Sequence, residues 1–241
     1  MTFVTENLRL DREYMDVACH QSGRDPLSVR LVAVSKTVPS SVVQQAVMAG
    51  QHLFGENRVQ ETAKKRSMLD GTADKIGNKT RNKIEWHLIG PLQRNKVKEA
   101  IALFDLIHTV DSFALAAEIN RHCTDRVSPF PILIQVNVGR ESQKHGVLPE
   151  HTEELILAMA PLTHLKICGL MAIPPLQEKA EQSRPFFRTL RELAQRCHAL
   201  SLPNVAMDEL SMGMSGDFSI AIEEGATLVR VGSAIFSHRV G

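Results

Sequence analysis

Three absences in the sequence exclude large classes of protein. Positive and negative residues nearly balance, with 28 Lys and Arg against 27 Asp and Glu and a formal net charge of +1, so no overall field draws the chain to nucleic acid or to an anionic membrane. No segment approaches the run of about eighteen apolar residues that crosses a bilayer. The cysteines form no CxxC pair, which fits a reducing compartment better than a zinc site or a disulfide framework. They are Cys19, Cys123, Cys168 and Cys197.

Two further stretches, the first residues and the one basic segment, also bear on where the protein acts and what it binds. Residues 1–14 are charged and lack the apolar run of a secretion signal. Residues 75–83 hold a local excess of positive charge, but they are rich in Gly and Asn and lack interleaved aromatics. That composition favours a solvated loop over an RNA-binding patch. We expect a soluble, cytoplasmic protein with no nucleic-acid, membrane or metal partner.

Short β-rich runs alternate with longer amphipathic stretches along almost the whole chain. Ile132–Val138 is nearly continuous apolar sequence, as expected for a parallel strand that is buried on both faces. The runs predicted as strands are Arg30–Ser35, His52–Phe54, Trp86–Ile89, Leu106–Val110, Ile132–Val138, Lys166–Ala172, Ala206–Leu210 and Thr227–Val231.

Helical segments separate these strands. Ser41–Ala49 ends before Gly50, a natural C-cap, and Pro149–Ala160 opens with Pro and acidic residues. Strand–helix alternation repeated eight times predicts an α/β protein, a single (β/α)8 TIM barrel over residues 1–241, with an extra N-terminal helix over Asn7–Cys19. An open doubly wound sheet is the structural alternative, but its usual Gly-rich loop is missing after the first strand.

Lys36 is the first candidate functional residue. Function in such barrels sits at the carboxyl ends of the strands, and Lys36 directly follows the first strand in LVAVSKTVP. A lysine amine in a partly desolvated barrel mouth can attack a carbonyl group. Taken alone, a lysine that extends its ammonium into solvent past the rim is the simpler interpretation. The residues at the other strand ends favour the reactive lysine instead.

The loops after the seventh and eighth strands predict a phosphate site. Residues 211–217 read SMGMSGD, and Gly232–Ala234 opens a last helical turn. Glycines and serines before a helix supply N–H groups and hydroxyls to an anion. Loops seven and eight most often hold phosphate groups in these barrels. The alternative is that the glycines only make tight turns.

Arg230 closes the eighth strand and is expected near the same pocket. Its alternative role is an ion pair with a carboxylate, for which the candidates are Asp208, Glu223 and Glu224. A lysine, two phosphate loops and a strand-end arginine together indicate a phosphorylated carbonyl compound. Pyridoxal phosphate (PLP) fits, because arginine is one of the usual partners of its pyridine nitrogen.

Other ionisable residues near strand ends are given weaker roles. His87 and His108 have no second histidine at metal-ligand spacing, so they are expected in the core or behind the site. A second cofactor-bearing lysine stays open, with Lys96, Lys144 and Lys166 as candidates.

The sequence also carries seven motifs in the order of a known family: LVAVSKTVP, FGENRVQE, WHLIGPLQRNK, HTVDS, IQVNVGRESQKHG, GLMAIP and LSMGMSGDFSIAIEEGATLVRVGSAIF. They resemble the YggS/PROSC family of pyridoxal phosphate homeostasis proteins over nearly the whole chain. The resemblance implies a barrel like the N-terminal domain of bacterial alanine racemase, with PLP held as a Schiff base on Lys36. It further implies a set of cofactor-binding residues: Ser211, Gly232 and Ser233 at the phosphate, Arg230 at the pyridine nitrogen and Asn57 beside the ring.

The family is regarded as a non-catalytic carrier that buffers PLP, delivers it to apo-enzymes and keeps amino-acid and keto-acid pools balanced. A racemase needs acid–base groups on both faces of the cofactor, and the single tyrosine, Tyr14, lies in the predicted first helix. Arginine cannot be deprotonated, so Arg230 would leave the ring a weaker electron sink. We predict a monomeric carrier rather than an enzyme. The alternatives are a racemase-like PLP enzyme and an aldolase-type Schiff-base barrel without a cofactor.

Overall fold

A closed barrel of eight parallel strands forms the centre of the protein, in a computed structural model that describes residues 2–73 and 83–237. Each strand pairs with its neighbours in sequence order, and β1 pairs with β8 to close the barrel. The strands are β1 Arg30–Val34, β2 Leu53–Glu56, β3 Glu85–Leu88, β4 Leu106–Val110, β5 Phe130–Val136, β6 Leu165–Ala172, β7 Val205–Ser211 and β8 Leu228–Val231. The predicted (β/α)8 barrel is confirmed.

Helices connect the strands on the outside of the barrel. They are α1 Phe3–Gln21, α2 Ser40–Met48, α3 Val59–Ala73, α4 Val97–Leu103, α5 Phe113–His122, α6 Thr152–Met159, α7 Arg184–Ala199, α8 Phe218–Glu223 and α9 Ser233–Phe236. None of the described helices combines the length and the apolar character that a bilayer crossing requires.

Apolar side chains fill two separate regions. The larger cluster lies between the strands and the helices around them, where Phe54, Trp86, Phe130 and Phe187 are fully buried. A smaller cluster takes one side chain from each of six strands: Val32, Leu53, Leu106, Leu133, Met171 and Leu228. These six strands are therefore buried on both faces, as their continuous apolar sequence predicts, whereas β7 keeps Asp208 exposed.

The predicted extra helix is present and longer than expected. α1 begins after Thr2, whose hydroxyl accepts the N–H of Thr5 at 3.3 Å. It packs on α8 and α9, and the Asn7 side chain donates to the carbonyl oxygens of Ile235 and Ser237 at 3.0 and 3.1 Å. The first helix thus closes the outer layer beside the last one.

Strand boundaries lie within two residues of the prediction, and helix boundaries lie within four. β2 extends to Glu56 rather than ending at Phe54, and β5 runs over Phe130–Val136 rather than Ile132–Val138. The predicted helix Pro149–Ala160 is a short 3-10 turn followed by α6. Of the basic stretch at 75–83, Lys83 pairs with Asp105 at 3.1 Å, and the rest lies outside the described residues.

The pairing of β6 with β7 contains an unusually close backbone approach. The register shifts between Ile167 and Gly169. A Cβ placed on Gly169 would lie only 1.8 Å from the carbonyl oxygen of Glu209. Only glycine permits these two strands to meet here.

Candidate functional site

Lys36 lies in a tight turn at the carboxyl end of β1. The N–H of Val38 donates to the carbonyl oxygen of Ser35 at 3.0 Å, so Lys36 and Thr37 are the central residues of a β-turn. Thr37 has a φ of 62°, a conformation that favours Gly or Asn. A β-branched residue is strained there by about 1–3 kcal/mol. The turn presents the side chain of Lys36 to solvent.

A buried ionic cluster contacts the backbone of this turn. Lys65 of α3 donates to Glu56 at 2.6 Å, to Glu61 at 2.8 Å and to the carbonyl oxygen of Ser35. Glu61 accepts the N–H of Thr37 at 2.6 Å, and the Ser35 hydroxyl donates to Glu56 at 2.6 Å. Burial raises the pKa of Glu56, and its hydrogen bonds from Lys65 and Ser35 oppose that shift. The cluster therefore holds the backbone on both sides of the exposed lysine.

The end of β8 brings the predicted Gly-Ser loop next to β1. A Cβ placed on Gly232 would lie 3.2 Å from the carbonyl oxygen of Val34, so glycine keeps the two strand ends in close contact. Ser233 opens α9, and its hydroxyl donates to the Ser215 hydroxyl at 3.2 Å. These hydroxyls form a polar patch beside the strand that leads to Lys36, and such a patch suits an anion.

The loop after β7 is held in place by Asp217. Its carboxylate accepts the N–H of Met214 at 2.7 Å and the hydroxyl of Ser183 at 3.0 Å. Gly213 has a φ of 89°, and a Cβ there would lie 2.5 Å from a side chain of α8. These contacts fix the position of Ser215 within the loop.

Arg230 and Ser211 lie together inside the barrel. The Arg230 guanidinium donates to the Ser211 hydroxyl at 2.6 Å and to the carbonyl oxygen of Ala172 at 2.8 Å. Burial lowers the pKa of Arg230 to about 10, with an opposing effect from Asp217. The side chain remains a cation at neutral pH, enclosed at the ends of β6, β7 and β8.

Of the three carboxylates considered as partners of Arg230, Asp208 is exposed on β7 and the other two pair with a different arginine. Glu223 and Glu224 pair with Arg184 of α7 at 2.6 and 3.1 Å. Ser211 is fully buried, and its hydroxyl is occupied by Arg230. The structure therefore groups Ser211 with Arg230, whereas Ser215, which is absent from the predicted site residues, lies beside Ser233. The SMGMSGD motif contains both serines, but sequence alone does not show which one faces inward.

A chain of hydrogen bonds continues from Ser211 through the barrel. Ser211 Oγ lies 2.9 Å from His108 Nδ1, His108 Nε2 lies 2.9 Å from His87 Nδ1, and His87 Nε2 lies 2.7 Å from Glu85 Oε1. Both rings are fully buried, in agreement with the prediction of core histidines. Burial, followed by the charges of His87 and Arg230, lowers the pKa of His108 well below its usual value. Over residues 2–73 and 83–237, no three His, Cys, Asp or Glu side chains group as a metal site.

Mild acid is expected to destabilise the protein through His108. The unfolded ring binds a proton below its ordinary pKa of about 6.5, whereas the buried native ring does not. The free energy of unfolding therefore falls as the pH drops through that value, by up to about 1.4 kcal/mol per pH unit. His108→Gln retains hydrogen-bonding groups without this titration. Its urea-unfolding free energy should depend less steeply on pH than that of the wild type, and parallel curves would contradict the assignment.

Asn57 follows β2 and lines a cavity of about 680 Å³. A Cβ on Gly90 would lie 2.5 Å from the carbonyl oxygen of Asn57, so glycine allows the loops after β2 and β3 to meet. Arg58, Lys96 and His145 line the same cavity. Asn57 is thus at the carboxyl end of the barrel, at the border between the Lys36 strand and this cationic space.

The other candidate lysines occupy different positions. Lys96 lines the Asn57 cavity and pairs with Glu99 at 2.9 Å. Lys144 donates to the carbonyl oxygen of Pro174 at 3.1 Å. Lys166 is the second residue of β6, so it lies at the opposite end of the barrel from the predicted site.

The fold and the strand-end residues define a class: parallel (β/α)8 barrels with a lysine after β1 and a serine-glycine loop after each of β7 and β8. These features agree with the family resemblance carried by the seven motifs. The chain belongs to the family of the alanine racemase N-terminal domain, whose sequence profile matches residues 20–240, and within it to the pyridoxal phosphate homeostasis proteins.

Curated relatives match the chain over almost its full length. A protein of Aquifex aeolicus is 43% identical over 96% of this chain and 97% of its own, and one of Escherichia coli K12 is 38% identical over 99% and 98%. Both are named pyridoxal phosphate homeostasis protein. The family predicted from the motifs is confirmed.

Solved structures agree with the fold. A protein from Bifidobacterium adolescentis has a TM-score of 0.90 at 34% identity, covering 97% of this chain and 94% of its own. PipY of Synechococcus elongatus, solved with PLP bound, has a TM-score of 0.80 at 34% identity, covering 97% and 100%. Alanine racemase of Corynebacterium glutamicum shares the fold at 15% identity, with a TM-score of 0.64 over 95% of this chain and 60% of its own.

Proposed function

We propose that this protein binds PLP through Lys36 as a Schiff base and acts as a carrier that maintains the intracellular supply of the cofactor and the balance of amino-acid and keto-acid pools. The observation that carries the proposal is the contact between the ends of β1 and β8, which brings an exposed lysine and a serine-glycine anion patch to one rim. The names of the relatives and the PLP-bound PipY structure support it.

The residues present fit the chemical groups of PLP. The Lys36 amine suits its aldehyde, and the hydroxyls of Ser215 and Ser233 beside Gly232 suit its phosphate. When bound, PLP supplies an electrophilic aldehyde and an electron-withdrawing ring. We assign Arg230 to the pyridine nitrogen and Asn57 to the edge of the ring. Because its hydroxyl is buried against the guanidinium, we assign Ser211 to holding Arg230 rather than to the phosphate.

A carrier rather than an enzyme is our proposal for the activity. The relatives are named for homeostasis and not for a reaction. Tyr14, a candidate second base, is half-exposed on α1, whose residues Arg12 and Asp16 line a cavity with Glu85 at the amino-terminal end of the barrel. A racemase-like enzyme is the alternative. Production of D-alanine from L-alanine in proportion to PLP-loaded protein would favour it over the carrier.

We further propose one domain over residues 1–241 that acts as a cytoplasmic monomer and supplies apo-enzymes that depend on PLP. Every described strand belongs to the same barrel, which supports the single domain. The cysteines are free, and burial raises the pKa of the Cys197 thiol to about 11. Inert thiols of this kind suit a reducing compartment.

The visible absorption spectrum of the purified protein tests the proposed function. Wild type reconstituted with PLP should be yellow, should lose its band on borohydride reduction and should carry the reduced adduct on Lys36 in peptide mass spectra. Lys36→Ala should lose the band almost completely, because no other amine would occupy the same position. Lys166→Ala, at the far end of the barrel, is the matched control and should keep it.

Two outcomes of this measurement would reject the proposal. A wild-type protein that stays colourless with PLP would bring forward the aldolase-type alternative without a cofactor. An adduct on Lys96 or Lys144 that persists in Lys36→Ala would move the site to the Asn57 cavity or to the loop after β5.

A further inference from the structure

The Lys36 turn contains a residue that its backbone conformation disfavours. Thr37 has a φ of 62°, and β-branched side chains rarely adopt this region. The hydroxyl of Thr37 donates to the carbonyl oxygen of Lys36 at 2.6 Å, a contact within the turn that does not reach the rest of the protein. A strained conformation persists only when the surrounding structure enforces it.

Glu61 provides that enforcement from outside the turn. Its carboxylate accepts the N–H of Thr37 at 2.6 Å. The same oxygen also accepts from Lys65 at 2.8 Å, so the position of the acceptor is set by a buried ammonium group. Lys65 also donates to the carbonyl oxygen of Ser35, on the other side of Lys36.

Glu56 anchors the ammonium group to the barrel wall. It is the last residue of β2 and is fully buried. Its Oε1 atom accepts from both Lys65 and Ser35 at 2.6 Å. The contacts of the cluster with the turn are made to backbone groups of Ser35 and Thr37 and to the Ser35 hydroxyl, so it acts on Lys36 through the main chain.

We propose that Glu61, held by Lys65 and Glu56, is a positioning residue that keeps Thr37 in its left-handed conformation and thereby directs the Lys36 amine into the cofactor site. This inference rests on the proposed function of Lys36. It assigns the buried carboxylate–ammonium cluster a role in cofactor capture in addition to its role in stability.

The test compares two readouts in matched variants. The first is amide hydrogen exchange at Thr37 in the cofactor-free protein, and the second is the rate of PLP capture by absorbance. Glu61→Ala should speed exchange at Thr37 by about tenfold or more and slow capture by about tenfold, because the competent turn is less populated. Glu61→Gln keeps an oxygen acceptor and should stay within about threefold of wild type in both readouts.

A second substitution tests the strain directly. Glycine adopts a positive φ without cost, so Thr37→Gly in the Glu61→Ala background should recover capture to within about threefold of wild type. Thr37→Gly alone should capture PLP at close to the wild-type rate. Lys64→Ala, an exposed position on the same helix, is the control and should leave both readouts unchanged.

Three results would overturn the positioning role. They are wild-type exchange and capture in Glu61→Ala, an equal loss in Glu61→Gln, and slow capture that Thr37→Gly does not recover. Failure of the proposed function looks different, since the wild type itself would then capture no PLP. In that event, unchanged exchange at Thr37 in Glu61→Ala would still overturn the claim that Glu61 holds the turn, and faster exchange would support it.

Discussion

Lys65→Met is expected to lower the free energy of unfolding by about 3–5 kcal/mol, the usual cost of leaving a buried charge without its partner. The side chains of Lys65 and Glu56 are 5% and 0% exposed. Within the described residues, Glu56 Oε2 already has no hydrogen-bond partner. Loss of the ammonium group leaves this carboxylate with the Ser35 hydroxyl as its remaining donor, and urea unfolding measures the deficit.

The double variant Lys65→Met, Glu56→Gln is the control for this prediction. It removes the buried charge as well as its partner, so it should recover a large part of the lost stability.

The stability deficit of Lys65→Met should also depend on pH, in a direction that the pKa of Glu56 determines. Burial raises the pKa of Glu56 in the folded state above its unfolded value, so protonation in acid favours the folded state, and the deficit of Lys65→Met should shrink as the pH falls. The prediction would be contradicted if the free energy of unfolding of Lys65→Met lay within about 1 kcal/mol of the wild-type value.

Gly169→Ala is expected to destabilise the barrel by about 3 kcal/mol or more, because a Cβ at this position overlaps backbone rather than a movable side chain. The carbonyl oxygen of Glu209 would lie 1.8 Å from that Cβ, and its carbonyl carbon 2.6 Å away. The overlap is relieved only if β6 and β7 separate, which disturbs the pairing next to Ser211. The midpoint of urea unfolding and the yield of folded protein are the measurements.

Gly216→Ala is the matched control for the glycine prediction. Gly216 is exposed, and a Cβ placed there would meet no atom within 4 Å. Its free energy of unfolding should stay equal to wild type or rise by up to about 1 kcal/mol, because alanine restricts the unfolded chain more than glycine does. Equal losses in the two variants would show that the close approach at Gly169 is not the cause.

The barrel could be predicted from the sequence because its signal is repeated. Most strands are buried on both faces, so apolar runs such as Leu106–Val110 stand out from the amphipathic helices around them. The ends of the runs are less visible. β2 continues through Gly55 and Glu56, and a charged residue breaks the apolar pattern although here it is buried against Lys65.

The site could be predicted in part for a similar reason. Strand ends in a closed barrel meet at one rim, so the positions of Lys36, Gly232 and Ser233 follow from the topology. The direction of each side chain does not. Ser211 turns inward to Arg230, whereas Ser215 reaches Ser233, and the sequence pattern of the loop does not distinguish the two serines.

The ionic cluster that contacts the Lys36 turn has only a weak signal in the sequence. Glu61 and Lys65 are four residues apart on α3, a spacing that usually indicates an exposed helix-surface pair worth a few tenths of a kcal/mol. Their burial depends on a third residue, Glu56, and on the turn that Thr37 makes. Such a cluster forms only once tertiary structure joins elements with no shared local pattern.

The hydrogen-bonded histidines inside the barrel have a consequence for how the chain folds. His87 and His108 are 21 residues apart and meet early in sequence, but Ser211, the partner of His108 Nδ1, is 103 residues further along. In a fragment that ended after β4 the barrel would be open, and water would take the place of Ser211 as the partner of His108 Nδ1. Strands β1–β4 therefore gain this buried hydrogen bond only when β7 and β8 close the barrel. The chain of hydrogen bonds thus links the stability of the first half of the protein to the presence of the second half.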